Sequence, residues 1–156
     1  GLNIYENGKN GENMNYIIDN VYLGNWQDSE DIEQLKSNNI KSVLTLNHEY
    51  SHSAEILNQY AGMGISTKYI KIHDSTLADI TPYLTECVEW IKSQKGNVLV
   101  HCTAGVSRSA TVVAAYIVKE KKYTPKQALE YVKQRRPIAG PNPSFVAQLH
   151  NWAQKQ

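Results

Sequence analysis

The sequence has few cysteines, no excess of charge of either sign and no long apolar run. Only two of its 156 residues are cysteine, which excludes a disulfide framework, and neither lies in a zinc-like spacing of cysteine and histidine. The formal net charge of +1 supplies no long-range field to attract nucleic acid or an anionic membrane. No stretch approaches the roughly 20 apolar residues that span a bilayer. We therefore predict a soluble protein, cytoplasmic or also nuclear, that binds neither nucleic acid nor membrane.

The length of the chain favours one domain with one core, because domains cluster at roughly 100 to 150 residues. Residues 1–13 are rich in asparagine, glycine and charge and have little to bury, which predicts a flexible N-terminal arm. Residues 14–156 then form the folded domain, which we expect to be a monomer.

Apolar runs of strand length alternate with amphipathic segments of helical length. Strands are predicted within 16–24, as a hairpin, and at 40–46, 67–72 and 97–102. Helices are predicted at 29–37, within 55–60, from a Thr81 N-cap to Gly96, at 107–120, at 124–135 with a capping box at its start, and from an Asn142 N-cap onward. This order predicts an α/β fold of three layers, with a mostly parallel central sheet of about five strands and helices on both faces. Ligands of such sheets bind beyond the carboxyl ends of the strands.

The segment HCTAGVSRS, residues 101–109, joins an apolar strand to a helix. Such a loop directs consecutive backbone N–H groups and the positive end of the helix dipole at one point, which suits a phosphate group. Its residues are small or medium in size, and Gly105 can adopt a left-handed backbone conformation. The predicted phosphate-binding residues are Thr103, Ala104, Gly105, Val106, Ser107 and Arg108.

Cys102 lies at the base of this loop, where the same amides and dipole favour a thiolate, a nucleophile at neutral pH. The planar guanidinium of Arg108 can hold two phosphoryl oxygens, and the hydroxyl of Ser109 can stabilise the sulfur as it leaves phosphorus. The alternative for Cys102 is a small buried hydrophobe at a strand end, which does not account for the residues around it. Cys87 lacks such neighbours and is predicted to be core filler on a helix face.

His-Cys, five residues and Arg-Ser form the signature of cysteine-dependent protein tyrosine phosphatases, and VLVHCTAGVSRSAT resembles the dual-specificity branch. From about residue 14 onward, NVYLGN, VLTLN, AAYIVKE, ALEYVKQRRP and PNPSFVAQL are also similar to that branch. The resemblance implies a phosphatase-like fold, a catalytic domain alone and a phosphocysteine intermediate. We expect neither cofactor nor metal, because Arg108 and the loop amides supply the charge stabilisation that a cation would otherwise provide. It also supports a role for His101 in holding the loop through a backbone hydrogen bond.

Expulsion of the leaving oxygen from phosphorus needs a positioned proton donor. Asp74 follows the strand YIKI and opens a loop at the same end of a parallel sheet as Cys102. The resemblance selects Asp74 as this general acid. Asp79 is the competitor, but a carboxylate just before a helix is commonly a partner of the helix dipole.

The resemblance also bears on the substrate. No separate tyrosine-bearing recognition loop can be located, which implies a shallow site that accepts phosphotyrosine and phosphoserine or phosphothreonine. Relatives that act on phosphoinositides tend to carry lysines where Ala104 and Val106 stand, and glucan-acting relatives tend to have glycine in place of Ser107. A phosphorylated protein is therefore the predicted substrate. Two alternatives stay open, a non-catalytic phosphate-binding module and a phosphatase of a non-protein substrate.

Overall fold

The computed structural model describes residues 13–156, so the predicted flexible arm, apart from residue 13, lies outside the described residues. The strands are β1 (Asn15–Ile18), β2 (Val21–Gly24), β3 (Ile40–Asn47), β4 (Ser66–Lys71) and β5 (Asn97–His101). The helices are α1 (Trp26–Glu30), α2 (Ile32–Ser37), α3 (Ala54–Met63), α4 (Thr81–Ser93), α5 (Arg108–Lys121), α6 (Pro125–Arg135) and α7 (Pro143–Ala153). Within residues 13–156, none of these helices has both the length and the apolarity needed to cross a bilayer.

The strands form one five-stranded sheet in the order β1-β2-β5-β3-β4. β1 and β2 are an antiparallel hairpin, and the remaining neighbours are parallel. The hairpin turns at Asp19, which has the left-handed φ of 54° that aspartate tolerates better than most residues. The predicted α/β fold with a mostly parallel sheet is confirmed.

Each face of the sheet is covered by its own apolar cluster. Leu44 and Leu46 of β3 pack into the larger cluster, which α4, α5, α6 and α7 complete. Val43, one residue away, packs on the opposite face with Leu35 of α2 and Tyr60 of α3. This alternation follows from the two-residue period of a strand, and it confirms helices on both faces. Because β5 is central, its carboxyl end is enclosed by neighbouring elements.

The helix predicted over 29–37 is wrong, because two short helices meet there. Asp31 has an extended backbone (φ −87°, ψ 90°), which ends α1 at Glu30. Its carboxylate then accepts a hydrogen bond from Gln34 N at 3.1 Å and starts α2. Aspartate is a strong N-cap residue, and this preference interrupts the apolar periodicity.

The start of α4 also differs from the prediction, since the Thr81 hydroxyl does not cap it. Thr81 is the first helical residue, and Gln148 of α7 supplies the acceptor instead. Gln148 Oε1 accepts hydrogen bonds from Ile80 N at 2.8 Å and from Thr81 N at 3.1 Å. Asp79 Oδ1 also accepts from Thr81 N, at 3.2 Å. The helix ends at Ser93, before Gly96. A cap from a distant helix is not visible in the local sequence.

Candidate active site

The segment between β5 and α5, residues 102–107, forms a bowl at the centre of the sheet edge. β5 is flanked by β2 and β3, so the bowl lies where three parallel strands end. α5 begins at Arg108, and its N-cap residue, Ser107, makes no side-chain capping bond. The unsatisfied N–H groups and the positive dipole end of this helix therefore face the bowl.

The carbonyl groups of this loop are fixed from outside it. The bonds run from Trp26 N to Thr103 O (3.0 Å), from Arg136 Nε to Gly105 O (2.8 Å) and from Gly140 N to Val106 O (2.8 Å). Within the described part of the chain, no backbone N–H of residues 103–108 donates to a protein acceptor. Because the carbonyl and the next N–H of a planar peptide point in opposite directions, the N–H groups of residues 104, 106 and 107, which follow these three carbonyls, face the inside of the bowl. Concave sites lined by backbone N–H groups in this way are typical anion-binding sites.

Gly105 is required by its conformation and by its neighbours. Its φ of +70° lies in the left-handed region. A Cβ atom there would lie 2.5 Å from Arg136 Nη2 and 2.7 Å from the backbone oxygen of Gly24. Any side chain would therefore push the loop away from the elements that hold it.

Cys102 lies directly after β5, and only 1% of it is exposed. Its Sγ is 3.0 Å from the Oγ of Ser109, the residue predicted to stabilise the leaving sulfur. The charges of Arg108 and Arg136 both interact with Cys102. Cys87 differs, because it belongs to the apolar core and burial raises the pKa of its thiol to about 12.

His101 connects the nucleophile loop to β3. Its Nδ1 lies 3.2 Å from Cys102 O and its Nε2 lies 2.7 Å from Thr45 Oγ1. Since a carbonyl only accepts, Nδ1 carries the proton and the Thr45 hydroxyl donates to Nε2. Burial lowers the pKa of His101 to about 3, so the ring is neutral and holds the loop at physiological pH.

Arg108 is clamped by a residue that sequence analysis did not select, Glu49 in the loop after β3. Nη1 and Nη2 donate to the two carboxylate oxygens of Glu49 at 2.9 Å each, and Nη1 also donates to Ile72 O at 3.0 Å. These bonds use three of the five N–H donors that a guanidinium has. The Nε–H, which is buried without a partner, and the second Nη2–H remain. They form a planar fork of the kind that can hold two oxygens of a phosphoryl group.

The Arg108–Glu49 pair keeps both groups ionised. Its hydrogen bonds lower the pKa of Glu49 to about 2, although partial burial opposes the shift. Burial would lower the pKa of Arg108, but the hydrogen bonds and charge of Glu49, together with the charge of Cys102, raise it. The clamp is therefore present across the neutral pH range.

Asp74, the predicted general acid, is exposed on the loop after β4. Its Oδ1 accepts a hydrogen bond from Asn142 Nδ2 at 2.9 Å, and its charge interacts with Arg108. Asn142 also donates its backbone N–H to Ser107 Oγ at 3.0 Å, which ties the same residue to the bowl. The structure thus brings Asp74 to the bowl, whereas Asp79 is engaged at the start of α4.

A stacked histidine pair joins the two loops that carry Glu49 and Asp74. The rings of His48 and His73 lie 3.6 Å apart, centroid to centroid, with an interplanar angle of 22°. Each histidine directly precedes one of the two acidic residues. The stack therefore fixes the spacing of these loops beside the bowl.

The side of the bowl away from the ligand is supported by Arg136, which is fully buried. Besides its bond to Gly105 O, its Nη1 donates to Asn15 Oδ1 at 2.8 Å. Asp28 is a nearby counter-charge, although burial outweighs its partners and raises its pKa to about 6. A buried cation thus lies behind the loop that is predicted to bind phosphate.

A family model described as the catalytic domain of dual specificity phosphatases matches residues 21–155. The chain belongs to the dual-specificity phosphatase family. It is 38% identical over 151 residues to dual specificity protein phosphatase 15 of Mus musculus, with 94% of this chain and 61% of that protein covered. It is 34% identical over 149 residues to human dual specificity protein phosphatase 2, with 94% and 44% covered. The chain thus spans about three fifths or less of the length of these curated relatives.

Solved structures of this family share the fold. The crystal structure of DUSP15 superposes with a TM-score of 0.81 at 31% identity, covering 90% of this chain and 87% of that one. The Yvh1 phosphatase domain from Chaetomium thermophilum gives 0.82 at 28% identity, with 91% and 96% covered. The human tyrosine phosphatase-like serine/threonine/tyrosine-interacting protein gives 0.78 at 26% identity, with 92% and 97% covered. Because the last is named for interaction, the dual-specificity fold alone does not decide between an enzyme and a binding protein.

Sequence analysis missed three residues of this dual-specificity phosphatase site: Glu49 at the arginine, Arg136 behind the loop and the Asn142 amide at the acid. Glu49 had a usable signal, because it comes just after β3 at the sheet edge where Cys102 and Asp74 were placed. Arg136 had none, since a basic residue at a helix end is normally exposed. Asn142 was predicted as a helix cap, which it is, with Oδ1 accepting from Phe145 N at 2.9 Å.

Proposed function

We propose that this dual-specificity phosphatase domain hydrolyses phosphate monoesters on proteins through a phosphocysteine at Cys102. The observation that carries the proposal is the set of unused donors at the bowl, namely the N–H groups of residues 103–108 and the free fork of Arg108. These donors are fixed before substrate arrives, so they stabilise charge on the transferring phosphoryl group without reorganisation. Phosphoryl transfer depends chiefly on such positioning and electrostatic stabilisation.

In the first step the Cys102 thiolate attacks phosphorus, and the bond from phosphorus to the substrate oxygen breaks. Asp74, in its protonated form, gives its proton to that leaving oxygen. Arg108 holds two of the non-bridging oxygens throughout, because Glu49 and Ile72 fix the plane of its guanidinium. The products are the dephosphorylated side chain and the phosphocysteine.

In the second step a water molecule attacks phosphorus and gives a proton to the Asp74 carboxylate. The phosphorus–sulfur bond breaks, and the departing thiolate accepts a hydrogen bond from Ser109, whose Oγ lies 3.0 Å from Sγ. Inorganic phosphate leaves, and Asp74 is protonated for the next cycle. The step is therefore complete with the residues already named and water.

We assign phosphotyrosine and phosphoserine or phosphothreonine in proteins as the substrates. The names of the curated relatives support this assignment, and so does the absence of lysine at Ala104 and Val106 in the bowl. Action as a monomer without nucleic acid or membrane, in the cytoplasm or also the nucleus, stays a prediction.

Comparison of wild type with Cys102→Ser tests the function. Wild type is expected to hydrolyse p-nitrophenyl phosphate and to form a phosphoenzyme that mass spectrometry detects after acid quenching, whereas Cys102→Ser loses about 10⁴-fold or more in turnover. The matched control is Cys87→Ser, which should retain activity wherever it folds. Phosphopeptide binding by wild type without turnover would establish the non-catalytic module instead.

A further inference from the structure

A cavity of about 240 Å³ lies beside the catalytic bowl on the α3 face of the sheet. We call it the Trp26 pocket, after the ring at one wall. Its other apolar and aromatic walls are Tyr50, His52, Leu57, Tyr60 and Tyr69. An apolar cavity of about 150 Å³ suffices for a benzene-sized group, so the Trp26 pocket has room for one large side chain.

The mouth of the Trp26 pocket is an exposed apolar surface. Tyr50, Leu57 and Tyr69 are 53%, 46% and 50% exposed, although each has a large apolar side chain. Single exposed hydrophobic residues are ordinary, but several around one concave site indicate an interaction surface. The pocket combines the aromatic lining and half-open shape that anchor a side chain of a partner.

The Trp26 pocket adjoins the catalytic site in two places. Tyr50 directly follows Glu49, whose carboxylate holds Arg108. Trp26 donates its backbone N–H to Thr103 O of the bowl at 3.0 Å. A protein bound with its phosphate in the bowl therefore lies next to this pocket.

β4 gives the distance and a direction between the two sites. Ile72, just after β4, accepts a hydrogen bond from Arg108 through its carbonyl, and Tyr69 lies three residues earlier in the strand. An extended chain advances about 3.3 Å per residue, so the pocket is about 10 Å from the arginine along this edge. In the described part of the sheet β4 pairs only with β3, and its outer backbone groups are a template for an extended peptide.

We propose that the Trp26 pocket receives a large apolar side chain, aromatic or leucine, of the phosphoprotein substrate. The side chain belongs to an extended segment and stands about three or four residues from the phosphorylated residue, as the spacing along β4 requires. This inference rests on the proposed function and adds a substrate class to it. The substrates are phosphoproteins with one apolar anchor near the phosphorylation site.

The test uses phosphotyrosine peptides in an alanine background, with phenylalanine or leucine placed in turn at each position up to about five residues on either side. Wild type should prefer the apolar residue at one position about three or four residues away, by about tenfold in kcat/KM over alanine. In Leu57→Lys the ratio between the two peptides should fall to about one, because a lysine at the mouth excludes the anchor. A general loss of activity would not move this ratio.

Two further variants keep the test decisive. Leu57→Trp closes the mouth without adding charge and should abolish the same preference. Tyr123→Lys places lysine at an exposed aromatic site at the opposite end of α5 and should leave the preference intact. The proposal is overturned if wild type shows no positional preference, or if both Leu57 variants retain it.

Binding of the same peptides to Cys102→Ser, followed by fluorescence polarisation, separates this proposal from the proposed function. A positional preference in binding without turnover by wild type would sustain the Trp26 pocket and reject catalysis. Turnover by wild type without a positional preference would support catalysis and reject binding of an anchor in the Trp26 pocket. Analytical sedimentation at the assay concentrations tests whether a second copy of this chain occupies the pocket instead. Self-association that Leu57→Lys abolishes would assign the pocket to that second copy and overturn the proposal.

Discussion

The bowl and the acid loop, residues 72–80, both take part in the proposed reaction, but they are held very differently. In the bowl, loop carbonyls are bonded to other elements and Arg108 is only 3% exposed. In the acid loop, Asp74 is exposed and held by one side-chain bond from Asn142, and Leu77 is 95% exposed. In the proposed mechanism, phosphate recognition is thus built into the fold, whereas proton donation depends on a few contacts at the surface.

Arg108→Lys should cause a large loss of activity with every substrate, because lysine is a point charge and cannot hold Glu49 and phosphate together. We expect kcat/KM for a phosphopeptide to fall by about 10³-fold or more. The matched control is Arg135→Lys, since Arg135 lies 3.5 Å over the Tyr131 ring on α6 and should retain activity. A loss below about tenfold for Arg108→Lys would contradict the geometry of the bowl.

Asp74→Asn should separate substrates by their leaving groups. A phosphoserine peptide needs a proton on its departing alkoxide, so its turnover should fall by about 10²- to 10⁴-fold. Turnover of p-nitrophenyl phosphate, which has a far better leaving group, should fall much less. Asp79→Asn is the control, and an equal pattern in both variants would remove the assignment of Asp74.

Glu49→Gln should weaken the arginine clamp without removing the arginine. The amide cannot accept both guanidinium bonds, so we expect vanadate, which mimics the transferring phosphoryl group, to bind about tenfold more weakly. Glu55→Gln, on the first turn of α3, is the matched control. Unchanged vanadate affinity in Glu49→Gln would show that Arg108 is positioned without the Glu49 clamp.

The same pair predicts a pH dependence of stability. The folded pKa of Glu49, about 2, lies below its ordinary value of 4.5. Its contribution to the free energy of unfolding is therefore present above about pH 4.5 and is lost as the pH falls toward 2. Between pH 4.5 and about pH 2, the free energy of unfolding measured with urea should fall less steeply with decreasing pH for Glu49→Gln than for wild type.

Asn142→Ser should give the smallest change and bears on how loosely the acid is held. Serine can still cap α7, but it removes the amide that donates to Asp74. We expect a loss of about two- to fivefold in turnover of phosphoserine peptides, with the melting temperature nearly unchanged. If turnover did not change, the His48–His73 stack would suffice to place the acid loop.

The parts of the site that the sequence predicted are those defined by local patterns. Cys102, Arg108 and Ser109 follow from a strand, a short loop and a helix in succession, and the structure places them together. Asp74 follows from the rule that parallel strands end at one edge. The capping box at Thr124 likewise needs only four consecutive residues.

The parts that escaped prediction depend on contacts between distant residues. Glu49 meets Arg108 across 59 positions, and Gln148 caps α4 across 68. Arg136 is buried because Gly105 and Asn15 supply acceptors from two other regions. The break at Asp31 has a local cause instead. There the capping preference of one aspartate outweighed the periodic spacing of apolar residues that had predicted a single helix.

The enclosure of Cys87 in the core has a practical consequence for chemical labelling. With its thiol pKa raised to about 12, that side chain stays protonated and unreactive in neutral buffer. Alkylation of the native chain therefore reports on Cys102 alone. The rate of iodoacetamide incorporation, measured as oxyanions are added, becomes a direct gauge of how fully the bowl is occupied, without any substitution in the chain.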